Sequence, residues 1–183
     1  MTPQGGSRVR SATVADAGAC RAIYAPYVED TAISFEERPP DEAEMRERIL
    51  ASLETHAWVV LEAPGAGVVG YAYGGPHKPR AAYRWACEVS VYVAPGRRRT
   101  GAGRVLYDDL LERLAARGFL VALAGMTLPN PASEGLHRSL GFEDVGTWRR
   151  IGWKHGAWHD THWMQRPLGE AATGLAEEPA DPS

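Results

Sequence analysis

Between Cys87 and Met126 the chain passes from an alternating strand pattern into an amphipathic helix and out again into a run of nearly continuous apolar residues. Val105, Leu106, Leu110, Leu111 and Leu114 form one helical face, and Gly118 supplies the stop. Phe119 to Met126 then reads as a strand buried on both faces. A strand–helix–strand unit of this kind predicts a right-handed parallel crossover. The rest of the chain must therefore complete a mixed sheet with helices packed on its faces.

The remaining segments fit around that unit. Arg8-Val9-Arg10 reads as a short strand, and Thr13 or Asp16 can cap a helix through Pro26 with Ala19, Ile23 and Tyr27 on one face. Asp30 to Pro40 is irregular; Asp41 then caps a second helix with Met45, Ile49, Leu50 and Leu53 at helical spacing. Trp58 to Glu62 and Val68 to Tyr73 form a hairpin about the turn Ala63 to Gly67, followed by a loop from Gly74 to Ala82 rich in glycine, proline and basic residues. Asn130 to Leu140 is a short helix stopped by Gly141, and two last strands bracket a turn around Lys154 to Trp158. The order β-α-α-β-β-β-α-β-α-β-β predicts an α/β (α+β) fold with a mixed central sheet flanked by helices. Residues 1–7 read as a flexible lead, 8–168 as a single domain, and 169–183 as an acidic tail expected to be disordered.

A chain of 183 residues is enough for one domain with a substantial core. Its net charge of −3 argues against a nucleic-acid partner, so a basic cluster here is a local device. Cys20 and Cys87 lie in apolar patterns and read as buried free thiols in a reducing compartment. The opening residues lack the apolar stretch of a signal peptide, and no run approaches the ~20 apolar residues of a membrane span. A cytoplasmic protein with no membrane partner is expected.

The seam between the strand and the helix of the crossover reads Gly96-Arg97-Arg98-Arg99-Thr100-Gly101-Ala102-Gly103-Arg104. It has half of a P-loop, but Ala102-Gly103 stands where Lys-Ser/Thr is required, which argues against an NTPase. The dinucleotide fingerprint fails too, with Leu106 at its third glycine position. What remains is a helix start whose unpaired amides favour an anion. Glycines at 101 and 103 let a diphosphate approach the backbone, and Arg98, Arg99 and Arg104 supply charge around it. The expectation is a diphosphate-bearing ligand.

Arg98-x-x-Gly101-x-Gly103, after an alternating strand and before an amphipathic helix, resembles the acetyl-CoA signature of the Gcn5-related N-acetyltransferases (GNAT). Within that superfamily the chain is most similar to the phosphinothricin and methionine sulfoximine acetyltransferases. The stretches that carry the similarity are Glu88-Val89-Ser90-Val91-Tyr92-Val93, Arg99-Thr100-Gly101-Ala102-Gly103, Leu128-Pro129-Asn130, Leu136-His137-Arg138-Ser139-Leu140-Gly141-Phe142 and Lys154-His155-Gly156-Ala157-Trp158-His159-Asp160. The resemblance spans roughly residues 8–168 and implies the GNAT fold, acetyl-CoA as cosubstrate, and a small amino-acid-like acceptor. Dimers are common among such relatives, so it also allows a homodimer, although no interface is legible in the sequence.

Acetyl transfer to an amine requires a base for the amine proton, a donor for the carbonyl oxygen and a proton for the departing thiolate. Glu88, an acid in an otherwise apolar strand, is the candidate base; its bland alternative is an ion pair, for instance with Arg84. The resemblance implies that backbone groups of Val91, Tyr92 and Val93 face the thioester arm. It also implies that Asn130 hydrogen-bonds that arm, with Ser133 near the same end. His137 stands where much of the superfamily has a tyrosine acid, and an imidazole can act as acid or base. The alternative is a histidine satisfied on a helix face. Tyr107 is a weaker acid candidate that packs against the sheet. By resemblance Lys78, Pro79, Arg80 and Tyr83 line the acceptor pocket, with Glu88, Val89 and Ser90 beside them and Phe35 as an apolar wall. The histidines of 155–162 lie across a turn and a strand without an evident fourth ligand, so no metal is expected. An amino-acid N-acetyltransferase fits best. A non-catalytic acetyl-CoA sensor would need neither Glu88 nor His137, and an enzyme for antibiotics or protein termini would need a different acceptor pocket.

Overall fold

The structure, a computed structural model, describes residues 6–97, 99–169 and 180–183. Strands β1 (Arg8–Ser11), β2 (Trp58–Ala63), β3 (Gly67–Pro76), β4 (Ala86–Val93), β5 (Val121–Thr127), β6 (Glu143–Lys154) and β7 (Ala157–Pro167) form one sheet in the order β1-β2-β3-β4-β5-β7-β6. Every neighbouring pair is antiparallel except β4–β5, which is parallel, as the crossover requires. Helices α1 (Ala17–Glu29) and α2 (Glu42–Thr55) pack on one face, and α3 (Ala102–Ala116) fills the other. α4 (Pro131–Ser139) follows β5, and the element order is the one the sequence predicts. Among the described residues no helix is long and apolar enough to cross a membrane.

The local signals behave as read. Asp41 accepts the Glu44 N–H and Glu44 answers on the Asp41 N–H, a closed capping box that starts α2. Gly118, at φ 95°, turns the chain out of α3. Cys20 and Cys87 are free and buried, and burial pushes both thiols up to about 12.

Tertiary packing overrides other readings. α1 does not end at Pro26 but runs on to Glu29, burying Tyr27 and Val28 against the core. That burial offsets the roughly 3 kcal/mol a proline costs inside a helix. Leu50, expected on the core face of α2, is 55% exposed, because Met45, Ile49 and Ser52 point inward. β3 continues past Tyr73 through Gly74 and Gly75 to Pro76, which pairs with Cys87. A Cβ on Gly74 would lie 3.0 Å from Leu114 Cδ2, so this glycine serves the contact between sheet and α3 rather than a loop. Residues 1–5 of the expected lead and 170–179 of the expected tail lie outside the described residues. The last four residues return to the fold: Trp85 Nε1 donates to the Ala180 carbonyl at 3.0 Å and the Ser183 N–H donates to the Arg117 carbonyl at 2.9 Å.

Candidate active site

The parallel pair β4–β5 is short. Its register covers Ala86↔Val121, Cys87↔Ala122 and Glu88↔Leu123, whereas β4 stays paired with β3 as far as Val93 and β5 with β7 as far as Thr127. Beyond Glu88 the two strands part, leaving one edge of β4 unpaired in the middle of the sheet. Backbone groups alternate sides along a strand. The Ala94 N–H donates to Val69 on the β3 side, so Val93 and Val91 turn theirs toward the gap, while Tyr92 turns its own toward β3. At Val93 the gap is closed: the Tyr27 hydroxyl donates to its carbonyl at 2.7 Å and accepts its N–H at 3.4 Å. Of the three residues expected to offer backbone groups, Val91 is therefore the one that directs its amide into the opening. The Tyr92 ring packs edge-on against Tyr24 and Tyr27 instead.

Just past Val93 the chain turns into α3. Gly101 takes the left-handed conformation at φ 85° as N-cap, and the first helical bond runs from Val105 N–H to Gly101 C=O at 3.1 Å. The amides of Ala102, Gly103 and Arg104 precede it and lack helical acceptors, an arrangement that favours an anion. Thr100 spends its hydroxyl on the Arg97 carbonyl at 2.7 Å, closing the turn. Arg98 lies outside the described residues; Arg99 is exposed beside the helix start. Two of these residues also hold the helices together. A Cβ on Gly103 would meet Leu136 Cδ2 at 3.1 Å, so this glycine lets α3 and α4 approach each other. Arg104 donates through Nη1 to the Ser139 carbonyl and hydroxyl and pairs with Asp108, tying α3 to the end of α4 while its side chain stays half exposed.

A cavity of about 190 Å³ lies at the mouth of the gap. Glu88, Val89 and Ser90 of β4 line it together with Phe35 from the α1–α2 segment, Thr127 of β5 and Trp163 of β7. The Glu88 side chain is 40% exposed, so it sits at the rim rather than in an apolar wall. Its carboxylate meets His77 Nδ1 at 2.8 Å, and the His77 ring stands edge-on to Tyr83 at 5.6 Å and to Trp163 at 6.1 Å. The partner of Glu88 is thus His77 and not Arg84, which pairs with Asp181. Sequence reading passed over this histidine although it lies in the same glycine- and proline-rich loop as Lys78; no periodicity marks it. Lys78, Pro79 and Arg80 are exposed and do not line the cavity, and Tyr83 reaches it through His77. A larger cavity of about 330 Å³ between α2 and β2–β3 is walled by Trp58, Tyr71 and Tyr73, and its charged residue, Arg48, is already paired with Glu36. It lacks a carboxylate, so the smaller cavity is the candidate reaction centre.

Asn130 caps α4, its Oδ1 accepting the Ser133 N–H at 3.2 Å; its carboxamide NH2 has no partner among the described residues. His137 is 3% exposed. Its Nδ1 lies 2.8 Å from the Ser133 carbonyl, which can only accept, so Nδ1 carries the proton. Burial holds the imidazole below its ordinary protonation range, leaving the Nε2 lone pair to accept the Tyr107 hydroxyl at 3.1 Å. Burial also drives that hydroxyl far above the usual phenol range. Nδ1 bonds back within α4 and Nε2 joins α4 to Tyr107 of α3, and His137 does not line the cavity that Glu88 lines. Among the described residues no group of three His, Cys, Asp or Glu side chains is placed to hold a metal ion.

The profile of the family described as Acetyltransferase (GNAT) domain matches residues 9–163. The phosphinothricin N-acetyltransferase of Streptomyces viridochromogenes is 39% identical over 158 residues, covering 86% of each chain. The L-methionine sulfoximine/L-methionine sulfone acetyltransferase of Pseudomonas paraeruginosa is 37% identical over 161 residues, covering 87% of this chain and 94% of that one. The crystal structure of a GNAT superfamily phosphinothricin acetyltransferase from Sinorhizobium meliloti in complex with AcCoA superposes with a TM-score of 0.89 at 39% identity, covering 95% of this chain and 93% of that one.

Proposed function

The chain belongs to the GNAT family of acetyl-CoA-dependent N-acetyltransferases, and on that premise we propose that its acceptor is a small amino acid or amino-acid analogue. The relatives named for phosphinothricin and for methionine sulfoximine and sulfone make the α-amine of such compounds the group to be acetylated.

The observation that carries this reading is the place where the sheet opens. Pairing stops at Glu88, so a carboxylate and the unpaired Val91 amide face one gap from the same strand. The residues present suit acetyl-CoA: outward amides at the start of α3 for a diphosphate, an open strand edge for an extended arm, and the unpartnered Asn130 carboxamide NH2. Acetyl-CoA supplies the acyl group as a thioester. Glu88, oriented by His77, takes a proton from the acceptor ammonium so that the amine can attack the carbonyl carbon. The Val91 N–H donates to the carbonyl oxygen as charge builds on it. The new amide forms as the carbon–sulfur bond breaks, and the second proton lost from the nitrogen ends on the departing sulfur, which leaves as a thiol. Arg99, with Arg98, sets charge at the diphosphate end, and Lys78 and Arg80 attract the acceptor's carboxylate from the rim. His137 is read as a positioning residue that holds α4 and its Asn130 cap against Tyr107.

Residues 8–168 are read as one catalytic domain, acting in the cytoplasm, where acetylation would disarm phosphinothricin as a herbicide. Association into a homodimer is supported by the edge strand β6 and its hairpin partner, where Val145, Trp148, Ile151, Trp153 and Trp158 are all exposed. The test of the function is thiol release from acetyl-CoA in the presence of phosphinothricin, methionine sulfoximine, methionine sulfone and ordinary amino acids. Turnover confined to protein N-termini or aminoglycosides would overturn it.

A further inference from the structure

The segment between α1 and α2 lends Ile33 and Phe35 to the cavity, yet residues 31–40 contain no helix or strand. Its shape has to come from side-chain ties. On one flank the Tyr24 hydroxyl meets Ser34 Oγ at 2.7 Å and donates to Glu36, which is paired in turn with Arg48. On the other flank stands the β6–β7 hairpin. Lys154, 9% exposed, donates from Nζ to the Val28 carbonyl at 2.6 Å and to the Ser34 carbonyl at 2.7 Å. Val28 lies in the last turn of α1, where carbonyls have no helical donor and a cation is favoured. His155 Nε2 adds a third tie, donating to the Thr31 carbonyl at 3.3 Å. Two residues before Lys154, Gly152 accommodates the Phe35 ring: a Cβ there would lie 2.3 Å from Phe35 Cε2 and 2.4 Å from Cζ. Neither Lys154 nor Gly152 lines the cavity.

We infer that the β6–β7 hairpin determines acceptor selection from outside the pocket, with Lys154 and Gly152 as positioning residues that seat Phe35 as its wall. This rests on reading the 190 Å³ cavity as the acceptor site. Lys154 clasps the segment to the end of α1, and the absent side chain at Gly152 sets how deeply the ring sinks. A larger residue at 152 pushes the ring toward Glu88 and narrows the pocket. Loss of the ammonium frees the segment and leaves two buried carbonyls without a donor.

The chain has three phenylalanines, Phe35, Phe119 and Phe142, so 4-fluorophenylalanine labelling yields a fluorine spectrum in which Phe35→Ala identifies the signal of interest. We expect Gly152→Ala and Lys154→Met each to move the Phe35 signal while leaving the other two in place. Both should raise the KM of the acceptor with the highest turnover in the amino-acid panel by at least about fivefold, with acetyl-CoA affinity unchanged by calorimetry. Lys154→Arg should restore part of the loss. On the Phe35→Ala background, Gly152→Ala should add nothing, since no ring remains to strike. An unmoved Phe35 signal in both variants overturns the inference, as does an equal KM increase from Gly152→Ala with and without the Phe35 ring. If instead the signal moves but Phe35→Ala leaves acceptor KM unchanged, it is the reading of the cavity that fails. Gly152→Ala keeps the test open should Lys154→Met not fold.

Discussion

At the start of α3 the groups offered to a ligand are backbone amides, and a single run of residues, from Gly96 to Arg104, puts them there. On the other side of the β4–β5 gap the offered groups are side chains, and they come from far apart: Glu88 from β4, His77 from the loop before it, Phe35 from behind α1, Trp163 from β7. The first end is a local construction, since helix geometry leaves its first amides unpaired wherever the helix begins. The second exists only when the sheet is assembled. A ligand common to every enzyme of the family suits the first, and an acceptor that differs between relatives suits the second.

Substitutions can break or sharpen this contrast. Glu88→Gln should cost the most, about 10²–10³-fold in kcat/KM, while acetyl-CoA affinity measured by calorimetry stays unchanged. A loss spread over both quantities would mean that the two ends are not separable. His137→Ala comes next and should act on stability: removing a buried ring hydrogen-bonded at both nitrogens should cost about 2–4 kcal/mol in denaturant unfolding. The shape of the kcat pH profile should not change; if the limb reporting a base disappears in a folded His137→Ala enzyme, His137 rejoins the chemistry.

The same histidine predicts a pH dependence of stability. Its folded pKa lies below the ordinary value of 6.5, so between the two values the unfolded chain binds the extra proton. Its stabilisation is complete above about pH 6.5 and is lost as pH falls below it. Buried His56 works in the same direction. Thermal melts of the wild type should therefore drop on acidification below that point, and His137→Ala should show a shallower drop.

Gly101→Val tests the backbone end. A β-branched residue at φ 85° distorts the cap, and about a tenfold loss of acetyl-CoA affinity is expected, with acceptor KM at saturating acetyl-CoA unaffected. Lys78→Ala and Arg80→Ala should have the smallest effect, about threefold in acceptor KM, because exposed charges act through screened, long-range attraction. If either matches Glu88→Gln, the loop must close over the acceptor, and the rim reading of these residues gives way.

What could be read in the sequence follows the same division. The cap at Asp41, the stop at Gly118, the helix start at Asn130 and the order of strands and helices are all local signals, each carried by a few adjacent residues. The two buried thiols were legible as well, from their apolar neighbours alone. Glu88 stood out as an acid in an apolar strand, and the structure puts it where the strands separate. Missed or misjudged features all depend on what lies across the fold: α1 continuing through Pro26 because Tyr27 finds Val93, Gly103 facing Leu136, Arg104 reaching Ser139, His77 meeting Glu88. Lys154 was noticed only as part of a turn motif, and its carbonyl partners lie more than a hundred positions away.

The chain's own residues determined which segments form strands and helices, where α3 begins, and hence that the first backbone amides of that helix are left without helical acceptors. Periodicity, caps and glycine conformations act over a few residues and need nothing else. Only the assembled sheet decided where β4 leaves β5, which amide was left facing the gap, and which of the many polar side chains meet there. Those outcomes depend on pairing and burial between segments distant in sequence, and short-range signals contain no record of them.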